Sequence, residues 1–176
     1  MPVASAGPGF ELNATAASVL GFLLDGPRAG WDIATAIEGS LGDFWNVTRS
    51  QIYRELRTLT GHGLVEPGQT GARDRRPYTI TADGRAAFIA WLEQEPGDDV
   101  VRIPLLLELF FADRLDDATL GRHVAVHRAR HAGRLDRYRQ LAALAEAAGD
   151  HRAHLLRYGI LHEEAVLAWF DTLPWG

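Results

Sequence analysis

Residues 48–65 read TRSQIYRELRTLTGHGLV and contain the helix that decides the fold. Thr48 stands three residues before Gln51, which is the capping-box pattern that satisfies the free amides at the start of a helix. Glycines on both sides of His62 favour a helix end, because glycine readily adopts the left-handed conformation found after helices. The pattern therefore predicts a helix that begins after Thr48 and ends near Gly61.

The two faces of this predicted helix differ in chemistry. Ile52, Leu56 and Leu59 repeat at helical spacing and predict a buried stripe. The opposite face is polar, carries two arginines and ends on a small residue; its members are Ser50, Arg54, Arg57 and Gly61. Such a helix packs one side against a core and leaves guanidinium groups on the other side.

The elements around this helix follow a recognisable order. Caps and hydrophobic spacing predict two helices before it, then two short strands and one more helix after it. The predicted bounds are Asn13–Asp25 and Trp31–Leu41 for the first helices, Leu64–Pro67 and Pro77–Ile80 for the strands, and Asp83–Glu93 for the last helix. The loop between the strands contains three arginines. This order is that of a winged helix-turn-helix domain.

A second, helical region is predicted after a linker at Pro96–Asp99. The nearly all-apolar segment Ile103–Ala112 is expected to be buried on most sides. Asp116 or Asp117 caps a long helix that ends near Ala148, and a final helix runs to about Leu173. The apolar surface of these helices exceeds what one chain can bury, which predicts packing across a two-fold axis.

We therefore predict a mainly α protein in three parts. Residues 1–12 form a loose tail, residues 13–95 form a winged helix-turn-helix DNA-binding domain, and residues 96–176 form an all-helical dimerisation domain. The charges divide in a similar way. Residues 46–85 contain seven arginines and four acids, whereas the chain from Glu95 onward contains ten arginines and thirteen acids. A basic module joined to an acidic one is common in DNA-binding regulators.

Composition excludes several classes of function. The 176 residues include 18 arginines but no lysine and no cysteine, so disulfide frameworks, thiolate zinc sites, Schiff-base chemistry and a P-loop are excluded. No enzyme motif occurs in a recognisable frame, and we predict no catalytic site, no cofactor and no metal. A membrane-spanning run and a signal-peptide pattern are both absent, which predicts a cytoplasmic protein with no membrane partner.

Three stretches resemble one known family. They read SVLGFLLDGPRAGWDI at 18–33, SQIYRELRTLTGHGLV at 50–65 and RDRRPYTITADGR at 73–85, and they are similar to the PadR family of bacterial transcriptional regulators. LLLELFFADRLDD at 105–117 and a closing helix with Trp169 resemble the longer C-terminal domain of one branch of that family. The resemblance implies a winged helix-turn-helix, a homodimer built by C-terminal helices, and usually repression relieved by a small molecule. It therefore makes residues 96–176 the expected effector domain as well as the dimerisation domain. Trp31 departs from the pattern, since a tyrosine is usual there, but it preserves an aromatic wedge.

In this family context, the exposed face of the third helix is expected to enter the major groove. Arg54 and Arg57 are expected to bind guanine edges, and the wing arginines to contact phosphates or the minor groove. Gln51 has two possible roles that stay open, completion of the capping box or reading of adenine. The residues predicted to contact a pseudo-palindromic double-stranded operator are Thr48, Arg49, Ser50, Gln51, Tyr53, Arg54, Arg57, Arg73, Arg75 and Arg76.

A small aromatic effector is expected to bind an apolar pocket between the two domains. The aromatic candidates are Trp91, Phe110, Phe111 and Trp169, each of which also fits an ordinary core position. Two other functions stay open: a winged-helix module that binds protein without DNA, and a small aromatic- or drug-binding protein. The three-arginine wing argues against the protein-binding module, which has no need of it.

Two clusters in the helical region have competing explanations. His123, His127 and His131 are spaced by four, which suits metal ligation, but the same helix carries a packing seam through these positions. We favour packing or solvated histidines over a metal site. Glu163 and Glu164, beside His162, are expected to form an exposed helical patch.

Overall fold

The computed structural model describes residues 10–40, 44–71, 75–98 and 101–175. The chain divides into two compact units, residues 1–98 and 99–176. The elements of the first unit are α1 (Ala14–Phe22), β1 (Arg28–Ala29), α2 (Gly30–Ser40), α3 (Arg49–Gly61), β2 (Val65–Pro67), β3 (Pro77–Ile80) and α4 (Ala82–Leu92). This is the predicted order of helices and strands, with the short strand β1 added.

Side-chain caps begin three helices of the first unit. The Asn13 side chain accepts a hydrogen bond from the Ala16 amide at 2.9 Å, and the Thr81 hydroxyl accepts one from the Gly84 amide at 3.0 Å. Thr48 caps α3 as predicted. The first helix is shorter than predicted and ends at Phe22, because the amides of Leu24 and Gly26 bond to carbonyls three residues back. Gly26 then takes a φ of 132°, which favours glycine.

The sheet is antiparallel with strand order β1-β3-β2. Strands β2 and β3 form the wing and pair Val65 with Ile80 and Pro67 with Tyr78. Strand β1 pairs Ala29 with Pro77, which ties the start of α2 to the beginning of β3, where the wing loop ends. The sequence did not predict β1, because two residues are too few to show an alternating pattern.

The core of the first unit lies where α1, α2 and α3 meet. Ile52, Leu56 and Leu59 are fully buried, which confirms the predicted stripe of α3. They pack in one cluster with Leu20 of α1 and Ile33 of α2. Because this side of α3 is held by the core, its arginine-bearing side faces outward.

The second unit is helical in its described residues, with α5 (Pro104–Phe110), a 3-10 turn (Ala112–Arg114), α6 (Asp117–Ala147) and α7 (Arg152–Phe170). Asp116 is the cap of α6, as predicted. The Thr119 amide donates to its carboxylate at 2.8 Å and holds the pKa of that carboxyl below its usual range. Gly149, at a φ of 64°, follows the end of α6. None of the helices in the described part of the chain is both long and apolar enough to cross a membrane.

Helix α5 is far less buried in a single chain than its sequence predicts. Only Leu105 is buried, where it packs with Val124 of α6 and Phe170 of α7. The expectation that Ile103–Ala112 is buried on most sides is therefore wrong for one chain. The large apolar side chains of this segment that remain exposed are Ile103, Leu106, Leu107, Phe110 and Phe111.

Helices α6 and α7 are joined by an ion-pair cluster around a buried carboxylate. Glu163 of α7 is only 1% exposed, so the prediction that it forms part of an exposed patch is wrong. Its carboxylate accepts a hydrogen bond from Arg134 Nε at 2.8 Å and contacts His131 Nδ1. A buried carboxylate needs such partners, because an unpaired charge in the interior is strongly unfavourable.

The three histidines of α6 contact different groups. His123 pairs with Glu108 of α5, whereas His131 pairs with Glu163 and lies against the Phe170 ring at 5.5 Å between centroids. Burial lowers the pKa of His127, and the charge of Arg130 adds to the effect. His123 and His131 thus each contact a carboxylate of a neighbouring helix, and the His131 ring nitrogens also lie within hydrogen-bonding distance of Arg134 Nη2.

Candidate nucleic-acid interface

The outward face of α3 carries the polar side chains that the sequence assigns to DNA. Ser50, Arg54 and Arg57 are all exposed, and the Arg54 side chain keeps 66% of its surface accessible. A helix that is anchored on one side by a core and free on the other can enter the major groove of DNA. Guanidinium groups on such a face match the O6 and N7 acceptors of guanine.

Gln51 is used by the capping box in this structure. Its side-chain oxygen accepts a hydrogen bond from the Thr48 amide at 2.8 Å and another from the Thr48 hydroxyl at 2.9 Å. The backbone amide of Gln51 donates in turn to the Thr48 hydroxyl at 3.3 Å. A bidentate contact to adenine needs the same oxygen, so it would require release of the cap.

Glu55 is a buried acid on α3 that sequence reasoning missed. It is 5% exposed, and its carboxylate lies 3.7 Å from Arg54 Nη2 and accepts a weak hydrogen bond from Asn13 Nδ2 at 3.4 Å. The signal was present, because Ile52, Glu55, Leu56 and Leu59 follow the spacing of one helix face. Glu55 therefore links the candidate reading helix to the start of α1.

Tyr53 lies beside α2 and is 46% exposed. Its ring packs over Gly30, where an added Cβ would stand 2.7 Å from Tyr53 Cε1. Glycine at position 30 thus makes room for the ring. The phosphate contact assigned to Tyr53 stays a prediction, and its exposed fraction leaves the side chain accessible to such a contact.

The described wing arginines are exposed but bonded within the chain. Arg76 Nε donates to the Gly68 carbonyl at 3.1 Å. Arg75 Nη1 lies 3.5 Å from an Asp32 carboxylate oxygen, and its guanidinium lies 4.9 Å from the centre of the Trp31 ring. Arg73 falls outside the described residues. Arg75 and Arg76 therefore lie in the wing loop just before β3, and Arg75 contacts the start of α2.

The four aromatic side chains assigned to an effector pocket divide between the two units. Trp91 belongs to α4 in the first unit and is half-buried. Trp169 is half-buried in the second unit, packed against the Phe170 ring at 4.9 Å between centroids. Phe110 and Phe111 make an edge-to-face pair at 4.9 Å but remain largely exposed. Their assignment to a ligand stays a prediction.

Two family models match the chain in succession. The model described as the transcriptional regulator PadR-like family matches residues 19–90. The model described as virulence activator alpha C-term matches residues 101–173. The first match spans the winged helix-turn-helix elements, and the second spans the helices α5 to α7.

Two transcriptional regulators are similar to this chain in amino-acid sequence. A probable transcriptional regulator of Mycobacterium tuberculosis is 29% identical, with 89% of this chain and 93% of that protein covered. The negative transcriptional regulator PadR of Bacillus subtilis is 33% identical over 53% of this chain and 54% of its own length. The crystal structure of the latter in complex with operator DNA matches with a TM-score of 0.74 and 22% identity, over 93% of this chain and 97% of that one. Its structure with p-coumaric acid matches with a TM-score of 0.64 and 21% identity, over 93% and 95%.

Proposed function

Because the chain belongs to the PadR-like family of transcriptional regulators, we propose that it is a homodimeric repressor. In this proposal it binds a pseudo-palindromic operator in the cytoplasm, and a small aromatic molecule releases it from the DNA. One observation carries the DNA-binding part of this proposal. The core fixes α3 by Ile52, Leu56 and Leu59, so that Arg54 and Arg57 project from the exposed side of a helix that begins with a completed cap. The relative from Bacillus subtilis that was solved on operator DNA has the same fold.

The proposal assigns different tasks to α3 and to the wing. Arg54 and Arg57 read base edges from α3, where a guanidinium can make two parallel hydrogen bonds to guanine. Arg75 and Arg76 neutralise phosphates, because the wing of such a domain lies beside the DNA backbone. Thr48, Arg49, Ser50 and Tyr53 complete the contact surface around the start of α3.

The division of tasks predicts two kinds of loss on mutation. Arg54→Ala or Arg57→Ala should cost about 1–3 kcal/mol of binding free energy at particular operator positions. Arg76→Ala should weaken every duplex alike and lower the slope of log affinity against log salt by about one unit, because one phosphate contact is lost. The measurement is a titration of each variant against operator and scrambled duplexes at several salt concentrations.

Two outcomes of that titration would count against the assignment. Equal losses on both duplexes for the α3 variants would show that α3 is not the reader. If none of the three substitutions changes binding, recognition lies elsewhere, and a winged-helix module that binds protein becomes the better description. Arg157→Ala, at an exposed position of α7 in the second unit, is the matched control for removing one positive charge.

The proposed organisation assigns DNA binding to residues 13–95 and both dimerisation and effector binding to residues 96–176. A dimer with two-fold symmetry would supply two copies of α3, which fits an operator whose half-sites lie one helical turn apart. The exposed apolar side chains of α5 support this arrangement, since a face of that kind is usually covered by another protein surface.

The effector proposal predicts a change in tryptophan fluorescence and in DNA affinity. Planar aromatic acids, with p-coumarate as the first probe, should quench Trp91 or Trp169 and weaken operator binding, because a ligand shifts the protein only if it prefers the DNA-free state. Trp169→Phe should reduce the response, whereas Trp45→Phe, at a partly buried position against the core of the first unit, should preserve it. If no aromatic acid in the test set changes the tryptophan fluorescence or the operator affinity, aromatic acids are not the effectors of this protein.

A further inference from the structure

We propose that Trp31 is a positioning residue that holds the guanidinium groups of Arg49 and Arg75 in place for DNA phosphates. This inference rests on the proposed DNA binding and adds a residue to it. The Arg49 guanidinium carbon lies 5.6 Å from the centre of the Trp31 ring, and that of Arg75 lies 4.9 Å from it. Both distances are within the range of about 6 Å in which an aromatic face attracts a cation.

Trp31 stands where three elements of the first unit converge. It is the second residue of α2, two positions after the end of β1. The pairing of Ala29 with Pro77 brings β3, and with it Arg75, to the same place. Arg49 is the first residue of α3. One indole can therefore reach one arginine from the candidate reading helix and one from the wing.

The electrostatics of this place favour an anion. Arg49 lies at the start of α3, where the helix dipole disfavours positive charge, and the first turn of α3 contains no acid. The only acid paired with Arg75 among the described residues is Asp32, through a solvent-accessible contact of 3.5 Å that contributes little. The Trp31 ring offsets the cost of holding both guanidiniums together, and a phosphate would complete the site.

The Trp31 side chain lies at the surface of the first unit and not in its core. The side chain is 40% exposed, and it lies outside the core cluster of α1, α2 and α3. An exposed tryptophan contributes little to the stability of the core. Its contacts with the two arginines therefore point to a role in positioning their guanidinium groups. Tryptophan also attracts cations more strongly than tyrosine or phenylalanine does.

The test compares Trp31→Leu with Trp31→Phe on operator and scrambled duplexes across salt concentrations. Leucine keeps apolar bulk without an aromatic face, and it should lower the affinity for both duplexes about three- to tenfold. Phenylalanine keeps an aromatic ring, so the loss in the logarithm of DNA affinity for Trp31→Phe should be at most half of the loss for Trp31→Leu. Both variants should keep the salt slope of the unmodified protein, because the arginines are still present, whereas Arg75→Ala should lower it by about one unit.

The double variant Arg49→Ala/Arg75→Ala provides the coupling measurement. In that background Trp31→Leu should have no further effect on binding, since the ring then has no guanidinium to hold. Two results would overturn the positioning role. One is an equal loss of DNA affinity for Trp31→Leu and Trp31→Phe, and the other is a loss on Trp31→Leu that is as large in the double variant as in the unmodified protein. So would a leucine variant that binds like the unmodified protein. If Trp31→Leu melts below the binding temperature, Trp31→Met replaces it. An unmodified protein that binds no duplex would overturn the proposed function as well.

Discussion

Phe110→Glu is expected to convert the protein into a monomer and to weaken operator binding by about 100-fold or more. Phe110 is 79% exposed in one chain, and Leu106 and Leu107 of the same helix and Phe111 just after it are exposed as well. If this face is the dimer interface, a carboxylate there would be buried without a partner, which strongly opposes association. A monomer offers one copy of α3 to the operator and loses the gain of about 10²–10⁴ that two linked contacts provide.

Sedimentation and a binding titration on the same samples measure both effects. Gln94→Glu is the control, because it adds the same charge to an exposed position of the first unit. The control should stay dimeric and keep its operator affinity. An unmodified protein that sediments as a stable monomer at micromolar concentration would contradict the assembly, and a dimeric Phe110→Glu would place the interface elsewhere.

Gly84→Ala is expected to destabilise the winged unit by about 3 kcal/mol or more. A Cβ at this position would stand 2.1 Å from the Leu64 carbonyl oxygen, a backbone atom that cannot rotate away. The same oxygen accepts a hydrogen bond from the Thr81 amide at 3.1 Å, which fixes it to the start of α4. The loss would be a large part of the stability of an ordinary domain.

Hydrogen exchange, measured on individual peptides, reports the loss of stability separately for each unit. Gly84→Ala should raise the exchange of α1, α3 and α4 and leave α6 and α7 unchanged. Gly39→Ala is the matched control, since nothing lies within 4 Å of a Cβ there, and it should be neutral or slightly stabilising. A Gly84→Ala protein that exchanges like the unmodified one would contradict the close approach of α4 to Leu64, the residue before β2.

The sequence predicts most of the first unit because its signals are local. The capping box at Thr48 and the stripe of Ile52, Leu56 and Leu59 identify α3 without any tertiary information, and the structure confirms both. Strand β1 could not be predicted, because Arg28 and Ala29 form a strand only through pairing with β3.

The candidate site was harder to predict, since its contacts join distant residues. The exposed side of α3 follows from spacing alone. The contacts of Arg75 with Trp31 and Asp32 do not, because they depend on the pairing of β1 with β3. The burial of Glu163 escaped prediction for a similar reason, as its partners His131 and Arg134 lie on another helix.

The most direct test of the central claim is selection of duplexes from a random DNA library by the full-length protein. The account predicts enrichment of one pseudo-palindromic sequence whose half-sites lie about one helical turn apart, and loss of preference at particular positions for Arg54→Ala or Arg57→Ala. Recovery of duplexes with no shared sequence, or no retention of DNA at moderate salt, would contradict the claim that α3 reads an operator.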